Sequence, residues 1–134
     1  MHLSRRLVVG GALGALAGAP VAAEARPDGL VMFRRAGCPW CHAWDREIGA
    51  IYPRTELGEA LPLREVDLDR EGDGGISLVR PVRYTPTFVL VSGTTEVARI
   101  EGYPGDEFFW VRLEQLARIG ADRDAEQEPR EDAS

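Results

Sequence analysis

The chain has 134 residues and a formal net charge of −6, with 22 acidic residues against 16 basic ones. This length suits one compact domain around a single core and is too short for two such domains. The negative charge argues against partners that carry phosphates, so we expect neither a nucleic acid nor an anionic membrane surface as a partner.

Residues 1–25 have the pattern of an export signal. Arg5 and Arg6 form a positively charged start, the apolar stretch 7–19 follows, and small residues near Ala23 suit a signal peptidase. The stretch is short and interrupted by glycine, which disfavours the alternative of an uncleaved membrane anchor. We expect the signal to be removed and the protein to reach the periplasm, by the general secretory or the twin-arginine route.

The folded domain is expected at 26–120, and the charged tail 121–134 is expected to be disordered because it has no large apolar residue to bury. Apolar periodicity predicts a strand, a helix, a strand, a polar loop, a helical turn, a hairpin and a closing helix. In chain order these elements fall at 30–34, 41–51, 63–68, 69–75, 76–80, 87–100 and 106–120. The order predicts an α/β fold, with a mixed sheet of about four strands flanked by helices on both faces.

Apolar stripes predict which sides of two helices are buried. In the first helix Cys41, Trp44, Ile48 and Ile51 recur at intervals of three or four, and Pro53 ends or kinks the helix. In the closing helix the apolar positions are Phe108, Phe109, Val111, Leu113, Leu116 and Ile119, with Gly120 as the predicted end.

The only two cysteines of the chain are Cys38 and Cys41, placed where the first strand passes into the first helix. At the start of a helix, free backbone N–H groups and the helix dipole stabilise a thiolate. The alternative is a structural disulfide, but a bridge that closes so small a loop restricts the unfolded chain little. We therefore predict thiol–disulfide exchange, with Cys38 as the nucleophile and Cys41 as the resolving thiol.

The sequence Thr85-Pro86-Thr87 follows about 45 residues after the cysteine pair. Together the two motifs resemble the thioredoxin superfamily over roughly 30–119, with the usual first strand and helix of that fold missing. The resemblance implies a cis-proline at Pro86 facing the dithiol, with the backbone of Thr85 pairing with an extended substrate. The alternative is a trans-proline that starts a strand. Trp40 is expected to form a rim that binds substrate, and Trp44 is either core or functional.

A closer resemblance is to the thioredoxin-like proteins of bacterial sulfur-oxidation clusters, the SoxS type. It rests on the stretches 36–41, 44–48, 52–55, 80–82, 85–90 and 101–105, and on the aromatic residues at 108–110. The resemblance implies a periplasmic reductant, and we expect a monomer without a bound cofactor. Its partners would be a sulfur-carrier protein of thiosulfate oxidation, whose thiol it restores, and a membrane thiol–disulfide transporter that donates electrons. The alternative is a general periplasmic exchange protein, either an oxidant or a reductant for cytochrome c maturation.

The sequence departs from the superfamily pattern below the resolving cysteine. Cytoplasmic thioredoxins bury an aspartate there, and this chain has Met32. Glu65 on the next strand is either a replacement for that carboxylate or an outward-facing residue. His42 is either a neighbour that stabilises the thiolate when protonated or an exposed bystander. The 101–105 loop is either a partner-docking loop or only a turn between strand and helix.

A c-type haem protein is a further alternative, because residues 38–42 satisfy the C-x-x-C-H attachment pattern. His42 would be the proximal ligand and Met32 would have to be the second one. Small cytochromes c are helical, whereas three segments of this domain have the pattern of strands. The haem hypothesis is therefore disfavoured, and no metal ligand is assigned.

Overall fold

A four-stranded mixed sheet forms the centre of the structure, a computed structural model that describes residues 29–128. Strand β1 (Gly29–Arg34) lies inside the sheet, parallel to β2 (Leu63–Asp67) and antiparallel to β3 (Thr87–Ser92). Strand β4 (Thr95–Glu101) completes the hairpin with β3, which gives the order β2-β1-β3-β4. The predicted thioredoxin-like sheet is confirmed. The predicted export signal at 1–25 lies outside the described residues.

In the described part of the chain, four α-helices and two other helical segments accompany the sheet. The first helix changes from α-helical to π-helical geometry along its length, and a separate 3₁₀ turn follows it. Among residues 29–128, none of the helices is both long enough and apolar enough to span a membrane. The bounds are α1 Pro39–Trp44, the π-helical segment Asp45–Gly49, the 3₁₀ turn Tyr52–Arg54, α2 Glu56–Ala60, α3 Leu68–Glu71 and α4 Asp106–Gln127.

The main core lies on the sheet face that α1 and α4 cover. Trp44, Phe88 and Phe109 form its centre, with ring centroids 4.9–6.1 Å apart. Trp44 is therefore a core residue, which decides between the two interpretations of its role. The buried stripe of α4 consists of Phe109, Leu113, Leu116 and Gly120.

The opposite face of the sheet is covered mainly by the segment 68–82 instead of by a long helix. Ile76 packs there against strand residues that include Val31, Val66 and Val89. The helical turn predicted at 76–80 is wrong, because Ser77 forms a bridge with Thr95 of β4 in extended conformation. The helical turn of this region is α3, which starts at a carboxylate that caps the N–H groups of two following residues.

Four predicted positions on the helices are corrected. Ile51 is exposed, because the first helix ends at Gly49 before the stripe reaches it. In α4 the residues Phe108, Val111 and Ile119 are exposed, although helical spacing predicts them as part of the apolar stripe. They lie beside the stripe that the sheet buries and not within it.

The predicted end of the closing helix at Gly120 is also wrong. Helix α4 continues to Gln127, so residues 121–127 are helical, although their composition predicts disorder. A glycine inside a helix costs about 1 kcal/mol relative to alanine, which does not stop a helix that tertiary packing already stabilises. The rest of the predicted tail, from residue 129, lies outside the described residues.

A buried ion pair anchors the segment 77–80 to strand β4. The side chains of Arg99 and Glu96 are only 4% and 2% exposed, and two nitrogens of Arg99 lie 2.5 and 2.8 Å from the Glu96 carboxylate. Arg99 also donates to the carbonyl oxygen of Arg80 at 2.7 Å, and the N–H of Val79 donates to Glu96 at 2.7 Å. The pair therefore fixes the chain shortly before it reaches the Thr85-Pro86 turn.

The pKa of Glu96 reflects these contacts. Burial alone would raise the pKa of its carboxyl. Hydrogen bonds from Arg99 and from the N–H of Val79, with the charges of Arg99 and Arg80, outweigh that effect and hold the pKa below its ordinary value of 4.5. The carboxylate is thus ionised in the folded protein at neutral pH, as the ion pair requires.

Candidate active site

The turn between β1 and α1 places Cys38 at the start of the helix. Gly37 has a φ of +73°, in the left-handed region that glycine tolerates best, and its backbone turns the chain toward the helix. Cys38 is the N-cap residue, with extended backbone angles, and Pro39 occupies the first turn of α1. A proline there loses no helical hydrogen bond. The predicted strand–turn–helix delivery of Cys38 is confirmed.

Cys38 and Cys41 are joined by a disulfide, with their Cα atoms 5.3 Å apart. The N–H of Cys41 donates a hydrogen bond to Sγ of Cys38 at 3.2 Å, which is the contact that would stabilise a thiolate on that sulfur. Cys38 is 7% exposed and Cys41 is fully buried. An external partner can therefore reach the sulfur of Cys38 more readily than that of Cys41.

The Thr85-Pro86 turn faces this disulfide. Its peptide bond is cis, as the resemblance implied. Sγ of Cys38 lies 3.4 Å from the carbonyl oxygen of Thr85. The carbonyl oxygen of Pro86 accepts a hydrogen bond from the N–H of Gly102 at 2.7 Å. Three separate segments of the chain thus meet beside the dithiol.

A groove of about 450 Å³ opens next to this junction. We call it the dithiol groove. The structure brings two predicted substrate-binding residues together in it, Trp40, which is 63% exposed, and Thr85; Pro86 is buried beside them. The residues that line the dithiol groove are Trp40, Tyr84, Thr85, Glu101, Gly102, Tyr103, Pro104 and Arg112. The 101–105 loop therefore forms one wall of the groove, and its role in partner docking stays a prediction.

Within residues 29–128, no buried carboxylate belongs to the core cluster around Cys41. Met32 is fully buried there, in the same core cluster as Cys41. Glu65 faces outward and its carboxylate pairs with Arg34 at 2.9 Å, so the outward-facing interpretation of Glu65 is correct. Arg34 also makes two hydrogen bonds to Asp45, at 2.7 and 2.9 Å, and thereby ties β1 to the helix that follows the dithiol.

Asp45 is the acidic centre of this surface network. The hydrogen bond from Arg34 lowers the pKa of the Asp45 carboxyl, and although burial opposes the shift, the charges of Arg34, His42 and Arg46 add to it. His42 is exposed, and its Nδ1 lies 3.8 Å from Asp45. The imidazole is thus held beside the carboxylate at the surface of α1, and its influence on the thiolate stays a prediction.

The geometry does not favour the haem alternative. Met32 is buried in the core, whereas His42 is exposed on the outer surface of α1, so the two required ligands do not lie in one pocket. Cys38 and Cys41 are bonded to each other. Among residues 29–128, no group of three or more histidine, cysteine, aspartate and glutamate side chains is arranged to hold a metal ion.

Some residues of the site were not identified from the sequence. Tyr84 and Arg112 line the dithiol groove, and Glu47 bonds to Tyr103 across 56 positions of sequence. Tyr84 directly precedes Thr85, so its position next to the motif was an available signal. The spacing of Arg112 and Glu47 gives no comparable signal, because their places depend on how α4 and the 101–105 loop pack.

The fold and this dithiol together define a thiol–disulfide oxidoreductase. A mixed sheet, a Cys-x-x-Cys pair at the start of a helix and a cis-proline turn 3.4 Å from the first sulfur are arranged as in thioredoxins. A pair in this geometry can carry two electrons by alternating between the dithiol and the disulfide.

Similar solved structures support this class of protein and indicate the family within it. The periplasmic thioredoxin SoxS from Paracoccus pantotrophus, in its reduced form, is 44% identical, with 68% of this chain and 96% of that chain covered and a TM-score of 0.64. A thioredoxin from Thermus thermophilus is 26% identical over 75% of this chain and 82% of that chain, with a TM-score of 0.54. The chain belongs to the thioredoxin superfamily and, within it, to the SoxS-type thioredoxins. No protein-family model and no curated protein matches the chain.

Proposed function

We propose that this protein is a periplasmic reductase that restores the reactive thiol of a sulfur-carrier protein used in thiosulfate oxidation. The main support for this proposal is the position of Cys38. It lies at the start of α1, beside the Thr85-Pro86 turn and at the edge of an open groove. The 44% identity to a periplasmic SoxS supports the cellular role, and the export pattern at 1–25 supports the location. A membrane thiol–disulfide transporter is the proposed electron donor.

The proposed reaction is an exchange in two steps. In the reduced protein, the Cys38 thiolate attacks one sulfur of the oxidised partner, forms a mixed disulfide and releases the other sulfur as a thiolate. Cys41 then loses its proton and attacks Sγ of Cys38, which releases the second partner thiolate and forms the disulfide that the structure contains. Two electrons pass to the partner, and the donor must later return two electrons to Cys38 and Cys41.

The dithiol groove suits an extended protein segment around the oxidised sulfur. Trp40 and Tyr84 offer exposed aromatic surfaces, which bind apolar or backbone groups of a partner. The backbone of Thr85 lies next to Sγ of Cys38, so a strand that pairs with it would bring its sulfur to the attacking atom. In this proposal the groove selects protein substrates over small disulfides.

A covalent trap tests the proposed partner. A Cys41→Ser variant keeps the attacking thiol and lacks the resolving one, so it should hold each partner that it reduces as a mixed disulfide. The variant is expressed in the organism that makes this protein, and the adducts are isolated and identified by mass spectrometry. We expect one sulfur-carrier protein to dominate.

The double variant Cys38→Ser/Cys41→Ser is the matched control, since it keeps the groove and forms no adduct. A diverse set of trapped proteins would instead support the general exchange protein. Adducts that also form with the double variant would show that trapping does not depend on the dithiol, and would contradict the proposal.

A further inference from the structure

We propose that the hydrogen bond between Tyr103 and Glu47 holds the 101–105 loop in the position that binds a protein partner, which makes these two residues positioning residues for docking. The inference rests on the proposed function only in requiring a protein substrate, whatever its identity. It assigns a role to Glu47, which lies nine residues after Cys38 and outside the dithiol groove.

The contact joins the loop to the dithiol helix. The hydroxyl of Tyr103 donates to the carboxylate of Glu47, in the π-helical segment that continues α1. Tyr103 is 8% exposed and its ring packs edge-on against Phe109, with centroids 6.1 Å apart. The helix that begins beside Cys38 therefore also fixes the wall of the groove.

The hydroxyl of Tyr103 needs this partner. A buried hydroxyl without a hydrogen bond is destabilising, and a carboxylate is a stronger acceptor than a neutral group. Burial and the neighbouring Glu47 raise the pKa of Tyr103 above its ordinary value, so the hydroxyl stays protonated and remains a donor at neutral pH. Glu47 thus determines where the ring of Tyr103 settles.

Backbone hydrogen bonds hold this loop near its two ends. The N–H of Gly102 donates to the carbonyl oxygen of Pro86 at 2.7 Å, and the N–H of Phe109 donates to the carbonyl oxygen of Gly105 at 2.9 Å. Tyr103 lies between these ends, and Gly102 has a φ of +82°. A glycine at this point allows the loop other conformations once a side-chain contact is lost. Loss of the Tyr103 contact should therefore lower the fraction of molecules whose groove is ready to bind, which weakens binding without changing the sulfur chemistry.

The test compares KM and kcat for reduction of insulin, with dithiothreitol as the electron source. Tyr103→Phe keeps the ring and removes only the hydroxyl. We expect KM to rise about five- to tenfold, the size of one typical net hydrogen bond, while kcat changes less than about twofold. Glu47→Ala should give the same rise. Glu47→Gln, whose amide oxygen still accepts a hydrogen bond, should restore most of the affinity.

Tyr52→Phe is the matched control. Tyr52 is another buried tyrosine whose hydroxyl donates a hydrogen bond, to the carbonyl oxygen of Leu61 at 2.6 Å, and it does not line the groove. The control should lose stability in thermal unfolding and keep its KM. The double variant Glu47→Ala/Tyr103→Phe should raise KM no more than either single change.

An unchanged KM in Tyr103→Phe would overturn the inference, and so would an equal rise in Tyr52→Phe, since that rise would reflect stability alone. The outcome is independent of the covalent trap. Insulin reports on docking even when no sulfur carrier is captured, so failure of the proposed cellular role and failure of this inference give different results.

Discussion

Replacing Cys38 by serine is expected to lower protein disulfide reduction by about a thousandfold or more, because a serine hydroxyl is not ionised at neutral pH and cannot form a disulfide. Cys41→Ser should behave differently. Its Cys38 thiol is still next to Thr85 and can attack, but no second thiol completes the exchange. One round of mixed-disulfide formation should therefore occur, followed by almost no turnover.

Insulin reduction measures the turnover, and non-reducing gel electrophoresis detects the mixed disulfide. The two variants form a matched pair, since each replaces one sulfur atom by oxygen in the same helix. The reverse pattern, with adducts from Cys38→Ser and none from Cys41→Ser, would exchange the two assigned roles. Substantial turnover by Cys38→Ser would remove the dithiol from the mechanism.

Glu96→Ala is expected to destabilise the fold by about 3 kcal/mol, because the buried guanidinium of Arg99 loses both short contacts to Glu96 and, among carboxylates, keeps only the longer contact to Glu101 at 3.5 Å. The free energy of unfolding in urea at pH 7 measures the effect. Arg80→Ala is the control, since it removes the more exposed ion pair to Glu101 and should cost less than about 1 kcal/mol. Equal losses in the two variants would show that burial does not strengthen the Glu96 pair.

The stability that Glu96 contributes should depend on pH in a defined direction. Its pKa is lower in the folded protein than its ordinary value of 4.5, so the unfolded chain binds a proton more readily than the folded one. The contribution is fully present above about pH 4.5 and is lost as the pH falls through the lower folded value. The difference in unfolding free energy between wild type and Glu96→Ala should therefore shrink below that pH.

Local patterns predicted the sheet and the position of the dithiol well. Strands β1 and β3 are buried on both faces and appear in the sequence as short continuous apolar runs, whose length is typical of fully buried strands. The turn before Cys38 has its glycine at the position with positive φ. These features depend on neighbouring residues, which a single sequence contains.

The predictions made from the sequence are wrong where packing between distant segments decides the structure. Phe108 and Ile119 are apolar at helical spacing, yet the sheet buries only the Phe109 and Leu113 side of α4. Gly120 has the sequence pattern of a helix end, although it continues the buried stripe of α4. The pairing of Glu47 with Tyr103 joins the π-helical segment to a loop 56 positions away, which no local pattern indicates.

The most direct test of the account is the site of first alkylation in the reduced protein. Reduced wild-type protein is treated at pH 7 with less than one equivalent of iodoacetamide, and the modified cysteine is identified by peptide mapping. Cys38 lies at the helix start, accepts a hydrogen bond from the N–H of Cys41 and is more exposed than Cys41. We therefore expect Cys38 to be labelled at least about tenfold more than Cys41. Equal labelling of the two thiols, or preferential labelling of Cys41, would contradict the assignment of Cys38 as the attacking thiolate.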